Sequence, residues 1–343
     1  MAKKILITGG AGFIGSNLVK KLLELNDISY GNKELSLEII VYDNLATVNC
    51  GIDNINEYII KNKVTFIKGN ILDKDLLITS MSGVDIVIHL AAQLEVTKSY
   101  NDSLYDLNIN LIGTINVMKA CIACGVKRLI NASSACVYGF TSGMPSKETD
   151  ATNPNWEYGI SKLAAEKYLQ IASATNELDI TSLRFSIVYG RNEWYGRVLT
   201  IFTKRALQGK DLVIFGDGMQ KRDYINVEDV CDFILECVIN PNTINKIYNV
   251  SSGYGISINQ LANKIKAIFP DINIIYEDVQ EGSKSKIVEG RERLSQELKY
   301  LILDNSKAIM ETNWKPKITF DKGLNEYIEW VKHNLDKWHI YKV

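Results

Sequence analysis

Apolar positions in the first half of the chain fall into two alternating kinds of run. Short, nearly continuous apolar stretches predict strands: "KILIT" (4–8), "LEIIVYD" (37–43), "VTFIKG" (64–69), "VDIVIHLAA" (84–92), "RLINASS" (128–134) and "ITSLRFSIVYG" (180–190). Between them, apolar residues recur at helical spacing in "FIGSNLVKKLLEL", over about 102–124, and from "EYGISKLAAEK" onward. A strand that is apolar at consecutive positions is buried on both faces. Such strands separated by helices predict an α/β fold, a Rossmann-type doubly wound parallel sheet.

Beyond Gly190 the pattern becomes mixed. Short strands such as "LVIFGDG" and "KIYNVSSG" alternate with helices such as "NVEDVCDFILECVI" and "SINQLANKIKAIF". They predict a smaller C-terminal α/β lobe. Residues 1–180 are read as the main domain, to which later segments also contribute strands, and 181–343 mainly as the interleaved lobe. The polar stretch "NDISYGNKELS" (26–36) is long for a helix-to-strand link and reads as a surface insertion.

Composition narrows the partners. The chain has 343 residues, 46% hydrophobic and 23% charged, as in soluble globular proteins, and can form one large domain or two that share a cleft. Lys+Arg number 39 against Asp+Glu 40, so no global field draws the protein to nucleic acid or anionic lipid. Small anions must be held by local groups. No apolar run approaches the ~18–20 residues that cross a bilayer. "MAKKILITGG" reads as a first strand, not a signal peptide. Cys121 and Cys124 form a C-x-x-C inside a helical pattern, with no second pair and no nearby His. They read as buried helix cysteines in a cytoplasmic chain with reduced thiols. Three histidines, His89, His333 and His339, argue against histidine catalysis and zinc ligation, and no metal is expected.

"ITGGAGFIGS" follows the first strand and opens the first helix. Gly9 permits the tight turn, Gly12 lets backbone N–H groups approach a pyrophosphate, and Gly15 lets the helix pack close to the sheet. Asp43 ends the next strand and can accept hydrogen bonds from both hydroxyls of an adenosine ribose. A 2′-phosphate there would meet a negative charge, so NAD is favoured over NADP. Asp43 lies further from the third glycine than the usual ~20 residues, and the insertion accounts for the excess. Tyr158 and Lys162 stand one helical turn apart, a spacing that many surface helices share.

Together these motifs resemble the extended short-chain dehydrogenase/reductase family, the nucleotide-sugar epimerases and dehydratases, over nearly the whole chain. "TGGAGFIGS" is similar to the cofactor loop, which implies NAD contacts from Gly9, Gly12, Phe13, Ile14 and Gly15, then Asp43 and Asn44, then Asn70 and Ile71. "HLAAQ" (89–93) resembles a strand-end contact with the dinucleotide, through Leu90, Ala91 and Ala92. "NLIGT" (110–114) matches a motif with a structural asparagine, Asn110, and "NWKP" (313–316) a C-terminal signature. "SSACVYG" (133–139) places Ser134 at the catalytic hydroxyl position, and "YGISK" supplies the family's Tyr-x-x-x-Lys. "FGDGMQKRDYINVEDV" (215–230) resembles the segment whose arginine, here Arg222, grips a substrate diphosphate.

The resemblance implies an NAD-binding main domain and a lobe that binds a nucleotide-diphosphate sugar. Free tyrosine has a pKa near ~10. It implies that Tyr158 is the general base on a sugar hydroxyl, its pKa lowered by Lys162 and the nicotinamide. Lys162 also binds the nicotinamide ribose, and Ser134 orients the hydroxyl. The 4,6-dehydratases carry an Asp-Glu pair just after the catalytic hydroxyl residue, and decarboxylases a glutamate at the second position. Here those positions are Ala135 and Cys136. What remains is oxidation at C4, as a 4-epimerase or as a dehydrogenase that releases a 4-keto sugar. A silent binding homologue is opposed by the retained Ser134, Tyr158 and Lys162.

Ile187 replaces an asparagine that commonly touches substrate, and Asn70 replaces an aspartate near the adenine. Glu95 reads equally as a substrate contact or a surface residue. Trp194 and Tyr195 are placed to stack on sugar or base. Arg191 and Arg197 read as phosphate contacts or as packing. Arg291 and Arg293 are both candidates for a second diphosphate contact. Apolar residues on more than one face of the helices over about 102–124 and 158–174 suggest a homodimer through a four-helix bundle.

Overall fold

The computed structural model describes residues 3–27, 36–46, 51–140, 143–175, 178–193 and 196–335. Its apolar runs assemble into a seven-stranded sheet. We label β1 (Lys3–Thr8), β2 (Leu37–Asp43), β3 (Thr65–Lys68), β4 (Ile86–His89), β5 (Arg128–Ser134) and β6 (Asp179–Phe185). The order is β3-β2-β1-β4-β5-β6, closed at the far edge by Lys246–Val250, and every pair is parallel.

Successive side chains on a strand point to opposite faces, and both faces are covered. Ile5, Ile7, Ile39, Val41, Ile86 and Ile88 join one core with the helices Phe13–Asp27 and Val227–Ile239. Leu6, Ile40, Tyr42, Val87 and Leu129 join another with Gly113–Cys124 and Glu157–Thr175. The smaller lobe has its own core, built by the helices Val198–Leu207, Ile258–Ile268 and Phe320–Lys332 around the pair Leu212–Phe215 and Ile274–Glu277.

Several elements differ from the sequence reading. The expected strand over 180–190 is two strands. The chain leaves the main sheet at Ser186, whose hydroxyl donates to Asp223 at 3.2 Å, and Ile187–Tyr189 then pairs with Tyr224–Asn226. "KIYNVSSG", expected among the lobe's strands, supplies the edge of the main sheet against β6, and Val227–Ile239 packs on that sheet. The helix over 102–124 begins at Ser103, contains a π-helical segment at Asn108–Ile112, and follows a separate helix, Val96–Asn101. Ser103–Cys124 spans 22 residues at mean hydropathy 1.4, long and apolar enough by length and composition to cross a membrane. No such run was expected; the polar residues within it, Asp106, Asn110 and Asn116, are all buried. Cys121 is buried and Cys124 half-buried. Most of the segment over 26–36 lies outside the described residues.

One buried ion pair fixes the helix Glu157–Thr175 to the sheet. Arg184 of β6 donates through Nε (3.0 Å) and Nη2 (2.7 Å) to the two carboxylate oxygens of Glu166. Their side chains are 3% and 0% exposed. Ser133 of β5 also donates to Glu166, and the guanidinium lies 4.8 Å from the centre of the Tyr138 ring. Breaking a buried pair strands the remaining charge. Glu166→Ala is expected to lower the unfolding free energy by about 3–5 kcal/mol in denaturant titrations. A change below ~1 kcal/mol, the scale of a surface pair, would show that the pair does not hold the helix.

Candidate active site

The glycine loop sits where the strand order reverses, between β1 and β4, at the carboxyl ends of the strands. Gly9 has φ +71, and a Cβ there would lie 2.7 Å from the Ala91 nitrogen at the end of β4. A Cβ on Gly15 would collide with the Gly9 carbonyl. The backbone is thus drawn close at the N-terminus of the helix Phe13–Asp27, leaving a cradle that side chains would fill. Asp43 closes one side, its carboxylate accepting from Ala11 N at 3.1 Å and Leu45 N at 2.9 Å. Burial raises the Asp43 pKa, against those two hydrogen bonds. The donor set and the shape fit a dinucleotide.

From this loop a cleft of about 310 Å³ runs along the sheet edge. Gly9, Gly12, Phe13, Ile14, Gly15, Asp43, Asn44, Asn70, Ile71, Leu90, Ala91 and Ala92 all line it, with Ser134, Tyr158, Lys162 and Glu95 at its other end. Ser134 ends β5, accepts from Cys136 N at 3.2 Å, and lines the cleft together with Tyr158. Tyr158, Lys162 and Glu166 lie four residues apart in turn, on one face of their helix.

Burial governs the charges here. It pushes the Tyr158 phenol up, the neighbouring Cys136 thiol pushes the same way, and Arg197 and the Ser134 hydroxyl pull it down. The Lys162 ammonium is not turned on that phenol; it donates to Ala132 O at 3.0 Å. Burial lowers Lys162 to about 8, while Asp106 and Glu166 hold it up. Asp106, one turn before Asn110, is itself buried and collects Ser161 Oγ (2.5 Å), Asn110 Nδ2 (2.9 Å) and Gln93 Nε2 (3.1 Å). His89 is fully enclosed, with Thr8 Oγ1 2.7 Å from Nδ1 and Thr114 Oγ1 3.0 Å from Nε2, and burial lowers it to about 3. Among the described residues no group of His, Cys, Asp and Glu is arranged to hold a metal ion.

The arginines are distributed unevenly. Arg197 lines the cleft, and Arg222 does not. Arg222 lies behind Cys136, on whose thiol its charge acts, and pairs with Glu297 at 3.3 Å. Arg293 pairs with the same Glu297 at 3.1 Å, so these two stand together. Arg291 is apart from them, donating to Gly196 O at 2.8 Å. Arg191 is exposed, and its carbonyl accepts from Asn17 at 2.9 Å. Ile187 packs against the lobe core. Trp194 and Tyr195 lie outside the described residues. The sequence reading missed Gln93, Lys98, Tyr105 and Asp106. The one signal was the four-residue step from Asp106 to Asn110.

The profile of the NAD dependent epimerase/dehydratase family matches residues 5–251. A putative UDP-glucose 4-epimerase of Methanocaldococcus jannaschii is 34% identical over 96% of this chain and 99% of its own length. The dTDP-D-glucose 4,6-dehydratase of Mus musculus is 27% identical over 98% of this chain and 91% of its own. The crystal structure of a Thermotoga maritima UDP-glucose 4-epimerase with UDP-glucose superposes with TM-score 0.81 at 33% identity, covering 97% of this chain and 99% of the other. With a glycine cradle, an acid at the second strand's end and a cleft that carries Ser134, Tyr158 and Lys162, the chain belongs to the NAD-dependent epimerase/dehydratase family of extended short-chain dehydrogenase/reductases.

Proposed function

We propose that this protein is a nucleotide-sugar 4-epimerase. The observation that carries the reading is the meeting of Ser134 and Tyr158 at the far end of the cofactor cleft, next to Ala135 and Cys136, which carry no carboxylate. NAD supplies the redox chemistry, accepting the C4 hydrogen with its electron pair and returning it. The chain's part is positional and protonic. Tyr158 as phenolate takes the C4 hydroxyl proton while Ser134 donates a hydrogen bond to the oxygen that becomes the carbonyl. Lys162 keeps a positive charge beside the ribose end of the cofactor site. After the keto sugar turns over in the cleft, its other face of C4 is presented to the cofactor site, and Tyr158 gives the proton back to the C4 oxygen. The buried walls exclude water from the reacting carbon. Water elimination needs an acid and base on the substrate, and the neutral Ala135–Cys136 pair provides neither.

Arg222 and Arg293 are assigned to the sugar diphosphate, since a dianion would meet two guanidinium groups on either side of Glu297. Glu95 is assigned to the sugar end, and Trp194 keeps its assignment to sugar or base. Arg291, which donates to Gly196 O, stays the alternative to Arg293 as the second diphosphate contact. The main sheet is assigned to NAD and the smaller lobe to the sugar nucleotide. The five free cysteines among the described residues fit a reducing, cytoplasmic compartment. A homodimer fits the exposed apolar row Ile160 (54%), Tyr168 (51%) and Ile171 (65%) beside Leu104 (71%).

Absorbance and product analysis with a panel of nucleotide sugars test the reading. A C4 epimer without lasting reduced nicotinamide is expected. Lasting reduced nicotinamide with a released keto sugar would make the protein a C4 dehydrogenase instead. Tyr158→Phe should lower kcat by about 10²–10⁴-fold with NAD still bound, and unchanged turnover would remove Tyr158 from the chemistry. Light scattering should give twice the 38.6 kDa chain mass, and Ile160→Lys with Leu104→Lys should halve it. A monomeric native protein would refute the dimer.

A further inference from the structure

Asp106 is a buried carboxylate that the proposed chemistry does not use. It lies in the helix Ser103–Leu107, next to Tyr105, which lines the cleft. Three donors converge on it. Ser161 Oγ donates to Oδ2 at 2.5 Å, and the side-chain amides of Asn110 (2.9 Å) and Gln93 (3.1 Å) donate to Oδ1. A carboxylate only accepts, and each of these neighbours supplies a proton. Two of the donors come from segments that build the cleft. Ser161 stands between Tyr158 and Lys162 in the helix Glu157–Thr175, and its hydroxyl is also 3.1 Å from Tyr158 O. Gln93 follows Leu90, Ala91 and Ala92 beyond the end of β4. Its Nε2 also donates to Glu95 O at 2.9 Å, and its Oε1 accepts from Glu95 N at 2.5 Å. Asn110 clasps the Gln93 backbone, accepting from its N–H and donating to its carbonyl at 3.0 Å each.

Glu166 ties the same helix to β5 and β6, one turn beyond Lys162. At the first turn, Gly159 packs against the backbone of Cys136, where a Cβ would lie 2.4 Å from the carbonyl oxygen. That contact limits how closely the helix approaches but does not set its rotation. The hydrogen bond from Ser161 to Asp106 is directional and does. We infer that Asp106 is a positioning residue: through Ser161 and Gln93 it locks the first turn of the Tyr158 helix to the β4 end assigned to cofactor and sugar. The inference rests on the assignment of Tyr158 as the base. A displacement of about 1 Å at a reacting group costs on the order of 100-fold in rate. Asparagine can keep the link without the charge. Its oxygen takes the two amides, and its NH2 donates to Ser161 Oγ, which turns its own proton to Tyr158 O. Alanine breaks the link.

The test compares Asp106→Ala, Asp106→Asn and Ser161→Ala as NAD-loaded proteins. Asp106→Ala and Ser161→Ala should each lower kcat by about 10–100-fold, with KM and NAD affinity within about threefold of wild type. The double alanine variant should lose no more than Asp106→Ala, because both changes cut one link. Asp106→Asn should keep kcat within about threefold of wild type. Alanine variants with native kcat and only a lowered unfolding midpoint would give Asp106 a structural role and overturn the inference. So would an Asp106→Asn as slow as Asp106→Ala, which would make charge the cause, or losses that multiply in the double variant. Hydrogen exchange of the amides over 160–166 reads the link without turnover. It should quicken in Asp106→Ala and Ser161→Ala and stay native in Asp106→Asn, and native exchange in both alanine variants would refute the link. If Asp106→Ala does not fold, Ser161→Ala carries both readouts. A wild type inactive on every sugar would sink the epimerase reading and leave the exchange rates to decide this one.

Discussion

The geometry of the site depends on the buried pair between Glu166 and Arg184. Glu166 is one turn beyond Lys162 and two beyond Tyr158 on a single helix face. Arg184 belongs to β6 and Ser133 to β5, so the carboxylate ties the helix to two adjacent strands at once. The residue after Ser133 is Ser134. One set of hydrogen bonds therefore fixes both the rotation of the helix and its height against the strand end that carries the serine hydroxyl. A charged pair is a costly way to hold a helix, since a well-packed apolar contact often stabilises as much. Its directional bonds define register, which apolar packing leaves looser. The same carboxylate also keeps a positive charge on Lys162 within walls that oppose it.

Desolvation is the second constraint. It raises the phenol of Tyr158 and the thiol of Cys136, lowers Lys162 to about 8, and leaves His89 neutral with both nitrogens occupied. In such surroundings each remaining charge acts strongly, because water does not screen it. That gives weight to Arg197 and Asp106. The first faces Tyr158 from the small lobe, and the second faces Lys162 from the long apolar helix. The base of the proposed reaction thus sits between charges brought from three separate elements. Arg197 of the lobe acts on its pKa together with groups of the main domain.

Much of this was legible in the sequence wherever the signal is local. The glycine spacing requires a strand before it and a helix after it, and a short-range pattern of that kind survives without knowledge of the fold. Tyr158 and Lys162 share a helix, so their common face follows from periodicity alone. The misses are long-range. Ser186 breaks a run that reads as one strand, and its hydroxyl donates to a buried carboxylate, Asp223, thirty-seven positions further on. Lys246–Val250 has the composition of any short strand, and only the partner β6 tells which sheet it joins. Tyr158 draws its cationic neighbour from Arg197, not from the lysine one turn away, because side-chain direction is set by the Ala132 carbonyl.

The position after Ser134 then decides between chemistries that share every other part. Relatives named as epimerases and as a 4,6-dehydratase both match nearly the whole chain, so family membership does not separate the two reactions. After oxidation at C4 the neighbouring C5–H becomes acidic, and elimination follows if a base reaches it and an acid meets the leaving oxygen. Ala135 is a buried methyl group, and the Cys136 thiol is pushed up by burial despite Arg197 and Arg222 nearby. A neutral thiol is a poor base and a weak donor. On the proposed reading, the keto sugar therefore meets no carboxylate at these two positions to take the C5 proton, and rotation followed by reduction is the course left to it.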